Sequence, residues 1–166
     1  MGVDPGSIKS GYGIIDGQDA QLSVIEYGVI RTTPNAPLAQ RLLQISTRLQ
    51  ELIQHYRPEE FAVEDLFVAK NAKASLKLGQ ARGAILLTAA QAQICIAEYT
   101  PLEVKQAVVG YGRADKFQVQ QMVKVLLHLH EIPKPDDAAD ALAIAICHYH
   151  SVHVKRQIQN TMKNEK

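Results

Sequence analysis

Residues Met1-Gly2-Val3-Asp4-Pro5-Gly6-Ser7 place a carboxylate, Asp4, directly after a very short apolar run and directly before a tight turn. Two readings of Asp4 stand side by side. It shapes the Asp-Pro-Gly turn, as short polar side chains often do, or it hangs from the end of a strand as a metal ligand. A ligand cannot act alone, so the choice turns on whether other carboxylates arrive at comparable places.

Outward from Asp4 the first thirty residues read as β structure. Val3-Asp4 ends one strand, Gly11-Tyr12-Gly13-Ile14-Ile15 is a second, and Leu22 to Ile30 alternates like a third. Asp16-Gly17 is the expected hairpin turn, and the short spacings favour an antiparallel meander. Leu38, Leu42, Ile45, Leu49, Leu52 and Ile53 make one apolar stripe, predicting a helix over 38–56 that stops at Pro58. Phe61-Ala62-Val63 follows as a strand buried on both faces, ending at Glu64-Asp65. Strand, long helix, strand is the βαβ pattern. A second helix is predicted over 74–92, apolar over more than one stripe, with Gly79 and Gly83 permitting close approach of another backbone. Ile94 to Ala97 is a short strand, Pro101 opens a small helix over about 101–108, and Asp115 caps a helix to about His128. From Asp136 the chain is Ala-rich and helical to about Val152. The expected fold class is α/β: a mixed five-stranded sheet, antiparallel in its first three strands and parallel thereafter. The expected organisation is one domain over 1–152 and a polar, frayed tail over 153–166.

A chain of 166 residues suits one domain with a real core. No apolar run approaches the length needed to cross a membrane, and no basic-plus-apolar leader is visible, so no secretory signal is expected. Cys95 and Cys147 lie far apart, in no metal-ligand spacing, and read as free thiols of a reducing compartment. The net charge of +1 does not advertise nucleic acid, but its distribution is informative. Lys70, Lys73, Lys77 and Arg82 form a local run of +4 without an acid, and Lys105, Arg113, Lys116 and Lys124 against Asp115 make a local +3. Basic surfaces beside an acidic pocket suit an enzyme that grips phosphates and places metal ions on one of them.

The acids gather elsewhere. Asp137 and Asp140, three apart, share a face of the last helix. Their bland reading is first-turn acids that complement the helix dipole, yet Asp140 lies a turn in. Glu64 and Asp65 point to opposite faces of their strand, and one of them ends an otherwise apolar run. Sites in open α/β sheets gather beyond the carboxyl ends of strands, where Asp4 also sits. One acid from the first strand, one from the βα strand and two from the last helix would repel one another and raise their own pKa values. Hard oxygen donors without Cys or His favour Mg²⁺ or Mn²⁺. Two such ions about 3.5–4 Å apart can drive phosphodiester hydrolysis.

Five blocks then occur in order: Asp4-Pro5-Gly6-Ser7 with Gly11-Tyr12-Gly13; Phe61-Ala62-Val63-Glu64 with Phe67-Val68-Ala69-Lys70-Asn71-Ala72; Leu76-Lys77-Leu78-Gly79-Gln80-Ala81-Arg82-Gly83; Val104-Lys105-Gln106 with Val108-Val109-Gly110; and Asp137-Ala138-Ala139-Asp140-Ala141-Leu142-Ala143. Together they closely resemble the RuvC-type Holliday-junction resolvases, from Gly2 to about His150. The resemblance implies an RNase H-like fold with helices on both faces of the sheet, and metal-dependent cutting of four-way DNA junctions by a bacterial, cytoplasmic homodimer. It implies two Mg²⁺ ions, with Mn²⁺ able to substitute, held by Asp4, Glu64, Asp137 and Asp140, and so chooses Glu64 over Asp65. It implies that Phe67 reaches into the junction near the scissile step, that Lys105 and Lys116 assist near the phosphate, and that a branch-migration complex, RuvA–RuvB, is a partner. Only Met1-Gly2-Val3 precede Asp4, fewer apolar residues than the family usually carries there, so the pairing of this strand decides how well Asp4 is held.

Lys70, Lys73, Lys77 and Arg82 read as a solvated face or, beside an acid cluster and flanking Phe67, as phosphate contacts. Phe67 is a core aromatic or a wedge against a base. The pairs His128/His130 and His148/His150 splay to different faces of a helix and do not make a zinc site. The leading expectation is a dimeric junction-resolving endonuclease whose interface is the wide helix 74–92. The alternatives are an RNase H-like nuclease acting on hybrids or flaps, and an inert junction-binding module. An actin-like kinase is set aside for want of a second phosphate motif.

Overall fold

The computed structural model describes residues 1–18, 21–65 and 71–164, with the last helix beyond residue 153 described by its backbone only. Five strands form one sheet: β1 Gly2–Asp4, β2 Lys9–Gln18, β3 Gln21–Arg31, β4 Glu60–Glu64 and β5 Cys95–Tyr99, in the order β3-β2-β1-β4-β5. β1 to β3 pair antiparallel, while β1–β4 and β4–β5 pair parallel, as expected. β1 is short but paired on both sides. Gly2, Val3 and Asp4 face Gly13, Tyr12 and Gly11 on β2, and Gly2 and Val3 face Ala62 and Val63 on β4.

The helices are α1 Leu38–Tyr56, α2 Ala72–Gln91, α3 Pro101–Val109, α4 Lys116–Leu126 and α5 Asp136–Asn164. Local chemistry explains their starts. Thr100 and Asp115 each close a capping box at the heads of α3 and α4. Asn71 caps α2, its side chain accepting from the Ala74 N–H. α5 continues to Asn164, past the end near Val152 expected from periodicity.

Two apolar cores lie on opposite faces of the sheet. Val3, Phe61 and Val63 pack with Ile45, Leu49, Ile85 and Ala89 of α1 and α2. Ala62 packs with Val104, Val108, Val123, Leu142 and Ile146 of α3, α4 and α5. Side chains alternate along a strand. Since Val3 and Val63 belong to the α1/α2 face, Asp4 and Glu64 belong to the α5 face.

α5 lies against the sheet with unusual closeness because each surface is stripped of bulk. Its Ala138, Ala139, Ala141, Ala143 and Ala145 are buried, and beneath them a Cβ at Gly11 would stand 1.8 Å from the Asp137 carbonyl oxygen. That close approach sets the first turn of α5 beside the end of β1.

The expected hairpin turn at Asp16-Gly17 is displaced. Both residues lie within β2, paired with Ser23 and Leu22, and the ladder continues to Gln18 and Gln21. Gly17 is required by close approach, since a Cβ there would stand 2.0 Å from the Tyr149 ring. The connecting residues 19–20 fall outside the described part. Cys95 is exposed and Cys147 buried, and both are free.

Candidate active site

Asp4 ends β1 and Glu64 ends β4. The register pairs Val3 with Val63, so the two carboxylates leave adjacent strands at the same level and on the same face. Asp140 reaches them from α5. These three acids line a pocket of about 250 Å³ with Lys105, Lys116, Pro101, Val104, Val119 and Ala143. The helices on that face therefore supply both the apolar walls and the two lysines.

Asp137 stands apart from the pocket lining, one turn earlier on α5, with its backbone over Gly11. It is still close enough to act on Asp4. Burial, then the charges of Glu64, Asp140 and Asp137, push the Asp4 carboxyl up from 3.8 to about 8, with Lys116 opposing. Glu64 is raised by burial and then by Asp140, with Lys105 pulling the other way. Asp140 is raised by burial and eased by its hydrogen bond from Lys116. Mutual elevation of this kind is what buried, crowded carboxylates do.

Lys116 sets a cation against this cluster. Its ammonium donates to Asp140 at 2.9 Å and lies 3.3 Å from Asp136. Burial works to lower its pKa, but the hydrogen bond and charge of Asp140, then those of Asp136, outweigh it and hold the lysine above its ordinary value. Among the described residues no three His, Cys, Asp or Glu side chains converge tightly enough to enclose an ion as they stand. The donor set nevertheless fits a hard divalent cation. Its oxygens are all carboxylate, they share one pocket, and their raised pKa values are relieved by positive charge.

The structure sorts the remaining sequence-derived residues. Lys73 and Lys77 are exposed near the start of α2, four apart on one face. Phe67 and Lys70 lie outside the described residues. Arg82 is not a free phosphate ligand. Its side chain is only 13% exposed, its Nε donates to the Glu64 carbonyl at 3.0 Å, and it pairs with Glu98 and, at 3.4 Å, with Asp65. It clamps the end of β4 and so aims Glu64. Its charge is satisfied by Asp65, just past β4, and Glu98 of β5, which the folded sheet brings near. The Asp65 N–H donates to the Tyr99 carbonyl at 2.7 Å, so Asp65 continues the sheet edge and takes no place in the pocket. Two contributions escaped the sequence reading: Asp136 as a partner of Lys116, and Arg82 as the clamp on Glu64. The signal for Asp136 was present in the acidic run 136–140, whereas nothing local marks Arg82.

The histidines serve the far end of the molecule. His148 bridges the Tyr99 hydroxyl, 2.9 Å from Nδ1, and Glu60, 2.5 Å from Nε2. His150 Nδ1 meets the Ala107 carbonyl at 3.2 Å.

A model of the family described as crossover junction endodeoxyribonuclease RuvC matches residues 1–148. The chain belongs to the RuvC family. It is 52% identical over 159 residues to the crossover junction endodeoxyribonuclease RuvC of Pelotomaculum thermopropionicum, spanning 96% of this chain and 97% of that one. It is 56% identical over 152 residues to that of Heliobacterium modesticaldum, spanning 92% and 94%. Among solved structures, T. thermophilus RuvC in complex with a Holliday junction substrate superposes with a TM-score of 0.88 at 35% identity, covering 93% of this chain and 94% of that one. The RNase H-like fold expected from the resemblance is therefore the observed fold. Membership of the RuvC family implies use of a divalent metal, and these relatives are bacterial. Among the described residues no helix is long and apolar enough to cross a membrane.

Proposed function

We propose that this RuvC-family chain is a structure-specific endonuclease that resolves four-way DNA junctions during recombination and repair by metal-dependent phosphodiester hydrolysis. The observation that carries the site assignment is the convergence of Asp4, Glu64 and Asp140, from β1, β4 and α5, on one pocket with two lysines. Asp4, Glu64, Asp140 and the neighbouring Asp137 would hold two Mg²⁺ ions, with Mn²⁺ able to substitute. Bound there, the metal would supply the charge that activates water and stabilises the leaving oxygen. The chain's own groups do the rest. Asp4 must give up its proton before it can serve as a ligand. Arg82 and the Gly11–α5 contact hold Glu64 and the start of α5 at fixed positions. Lys116, which donates to Asp140, and Lys105, which lines the same pocket, would both face the phosphate and offset its charge. Val104, Val119 and Ala143 keep the pocket floor apolar.

Two symmetric nicks in a junction of approximate two-fold symmetry call for a two-fold dimer. The α2 surface supports this. Leu76 and Leu87 are 68% and 60% exposed, and Gly83 between them has open space where a Cβ would stand. These residues fall on one stripe of the helix, opposite its buried Ala81, Ile85 and Ala89. A second copy placed there would leave Lys73 and Lys77 at the margin as phosphate contacts, while the family resemblance assigns Phe67 and Lys70 to junction contacts. Residues 1–152 then form the nuclease domain and 153–166 its polar tail, whose backbone continues α5 to Asn164 where a frayed end was expected. The setting is the bacterial cytoplasm, with RuvA–RuvB as the branch-migration partner.

The test is Asp4→Asn. It should bind a four-way junction with unchanged affinity and fail to cut it, and retained cutting would remove Asp4 from the site. Parallel assays on an RNA–DNA hybrid, a flap and a plain duplex separate this function from other RNase H-like nucleases. Binding without cutting by the unaltered chain at any Mg²⁺ concentration would leave a junction-binding module.

A further inference from the structure

The turn that follows Asp4 is gripped from three sides by buried polar side chains outside the acid cluster. Ser10 of β2, fully buried, donates its hydroxyl to the Gly6 carbonyl at 2.7 Å and accepts the Gly6 N–H at 3.2 Å. Thr32, just beyond β3, directs its hydroxyl to the carbonyls of Ser7 and Ile8, each at 3.2 Å, and its N–H to Ile8 at 3.0 Å. Arg41 of α1 donates Nη1 to the same Ser7 carbonyl at 3.1 Å.

Arg41 is the unusual member. It heads the buried stripe of α1, in line with Ile45, Leu49 and Leu52, and is only 7% exposed. Among the described residues it enters no ion pair, and its buried Nε has no hydrogen-bond partner. A leucine or methionine could fill that place without desolvating a cation. Burying a guanidinium against neutral carbonyls, with one donor orphaned, costs stability. Such a cost at a site points to a task other than packing. One turn further along α1, Gln44 accepts the Thr33 N–H at 3.0 Å and donates to the Thr33 hydroxyl at 3.2 Å. α1 therefore holds both the turn and the segment that braces it.

We infer that Arg41 is a positioning residue for the metal site: by fixing the Ser7 carbonyl it sets, through Pro5 and Gly6, where the Asp4 carboxylate stands relative to Glu64 and Asp140. β1 contributes only three residues to the ladder, so the sheet alone defines its end with few hydrogen bonds. The inference rests on the reading of Asp4 as a metal ligand.

The experiment compares Arg41→Met, which keeps the stem and volume, with Arg41→Lys, which keeps one donor to the turn. Mn²⁺ binding is measured by calorimetry, junction affinity in Ca²⁺ by gel shift, and the melting temperature in EDTA. Arg41→Met should weaken Mn²⁺ binding by about 10- to 100-fold, the range typical of outer-sphere supports, with junction affinity within about twofold of the unaltered protein. Arg41→Lys should recover part of the loss. Unchanged Mn²⁺ affinity in Arg41→Met would overturn the inference, as would Mn²⁺ affinity, junction affinity and melting temperature falling together in both variants. Asp4→Asn is run alongside. If Asp4→Asn binds Mn²⁺ as tightly as the unaltered protein, what fails is the assignment of Asp4 as a ligand, not the link from Arg41 to the turn.

Discussion

Replacing Asp4 with Asn should stabilise the metal-free protein even as it abolishes cutting. In the fold, burial and three neighbouring acids raise the Asp4 carboxyl from 3.8 to about 8. An acid whose pKa is raised by folding leaves stability intact below its unfolded value, and that stability is lost progressively as pH climbs toward the folded value. The window is therefore about pH 4 to 8. At ~1.4 kcal/mol per unit, the gap at pH 7 corresponds to an upper limit of about 4 kcal/mol. Asn keeps the shape of the side chain and removes the titration, though the partial relaxation of neighbouring acids consumes some of the gain. An increase of about 1–3 kcal/mol is expected, or a rise of roughly 3–10 °C in melting temperature for a chain of this size. Thermal melts in EDTA at pH 5 and pH 7.5 give the measurement. The unaltered protein should melt lower at pH 7.5 than at pH 5, and the difference between the two proteins should shrink at the lower pH. If Asp4→Asn melts at or below the unaltered protein at pH 7.5, the crowding of Asp4 by charge and burial is wrong.

Three further outcomes follow from the same geometry. With its carboxyl raised to about 8, Asp4 must lose a proton to bind metal, so the Mg²⁺ concentration giving half-maximal cleavage should fall by up to about tenfold per pH unit below about 8 and level off above it; kinetics in a pH series checks this. Gly11→Ala places a Cβ 1.8 Å from the Asp137 carbonyl oxygen, which must push the head of α5 off the sheet, so calorimetry should show a loss of about 1–3 kcal/mol together with weaker metal binding. The double change Lys73→Gln and Lys77→Gln removes two exposed cations from α2; it should weaken junction binding and lower the salt slope by about one for each phosphate no longer neutralised, while leaving catalysis on bound junction unchanged.

The parts of this fold that a linear reading reaches are those where one local rule decides. The α1 stripe predicts its helix to the residue, because Ile45, Leu49 and Leu52 recur at helical spacing and Pro58 follows. The antiparallel-then-parallel sheet follows from short connections before Pro34 and a helical connection after it. Rules fail where one residue type serves two ends. Asp16-Gly17 reads as a turn, but Gly17 is small so that Tyr149 can lie against it, and that ring arrives from a helix far along the chain. Glu64 and Asp65 are indistinguishable until the sheet acquires faces. Once Val63 is seen to pack on α1 and α2, alternation sends Glu64 to the side where α5 brings Asp140. Arg82 looks like a surface cation because its partners Glu98 and Asp65 meet it only through the β4–β5 pairing. Arg41 sits in phase with an apolar stripe, and no local pattern distinguishes a buried guanidinium there from an exposed one at the helix start.

The central claim is that these acids, on this fold, cut four-way junctions with a divalent metal. Its most direct test is a synthetic junction with a mobile core, incubated with the purified protein across a Mg²⁺ titration, with the cut positions mapped on all four strands. The predicted result is paired nicks placed symmetrically on two opposing strands, absent in EDTA and absent with Asp4→Asn. Cutting that persists in EDTA, or cutting of a linear duplex or RNA–DNA hybrid as readily as of the junction, would contradict it.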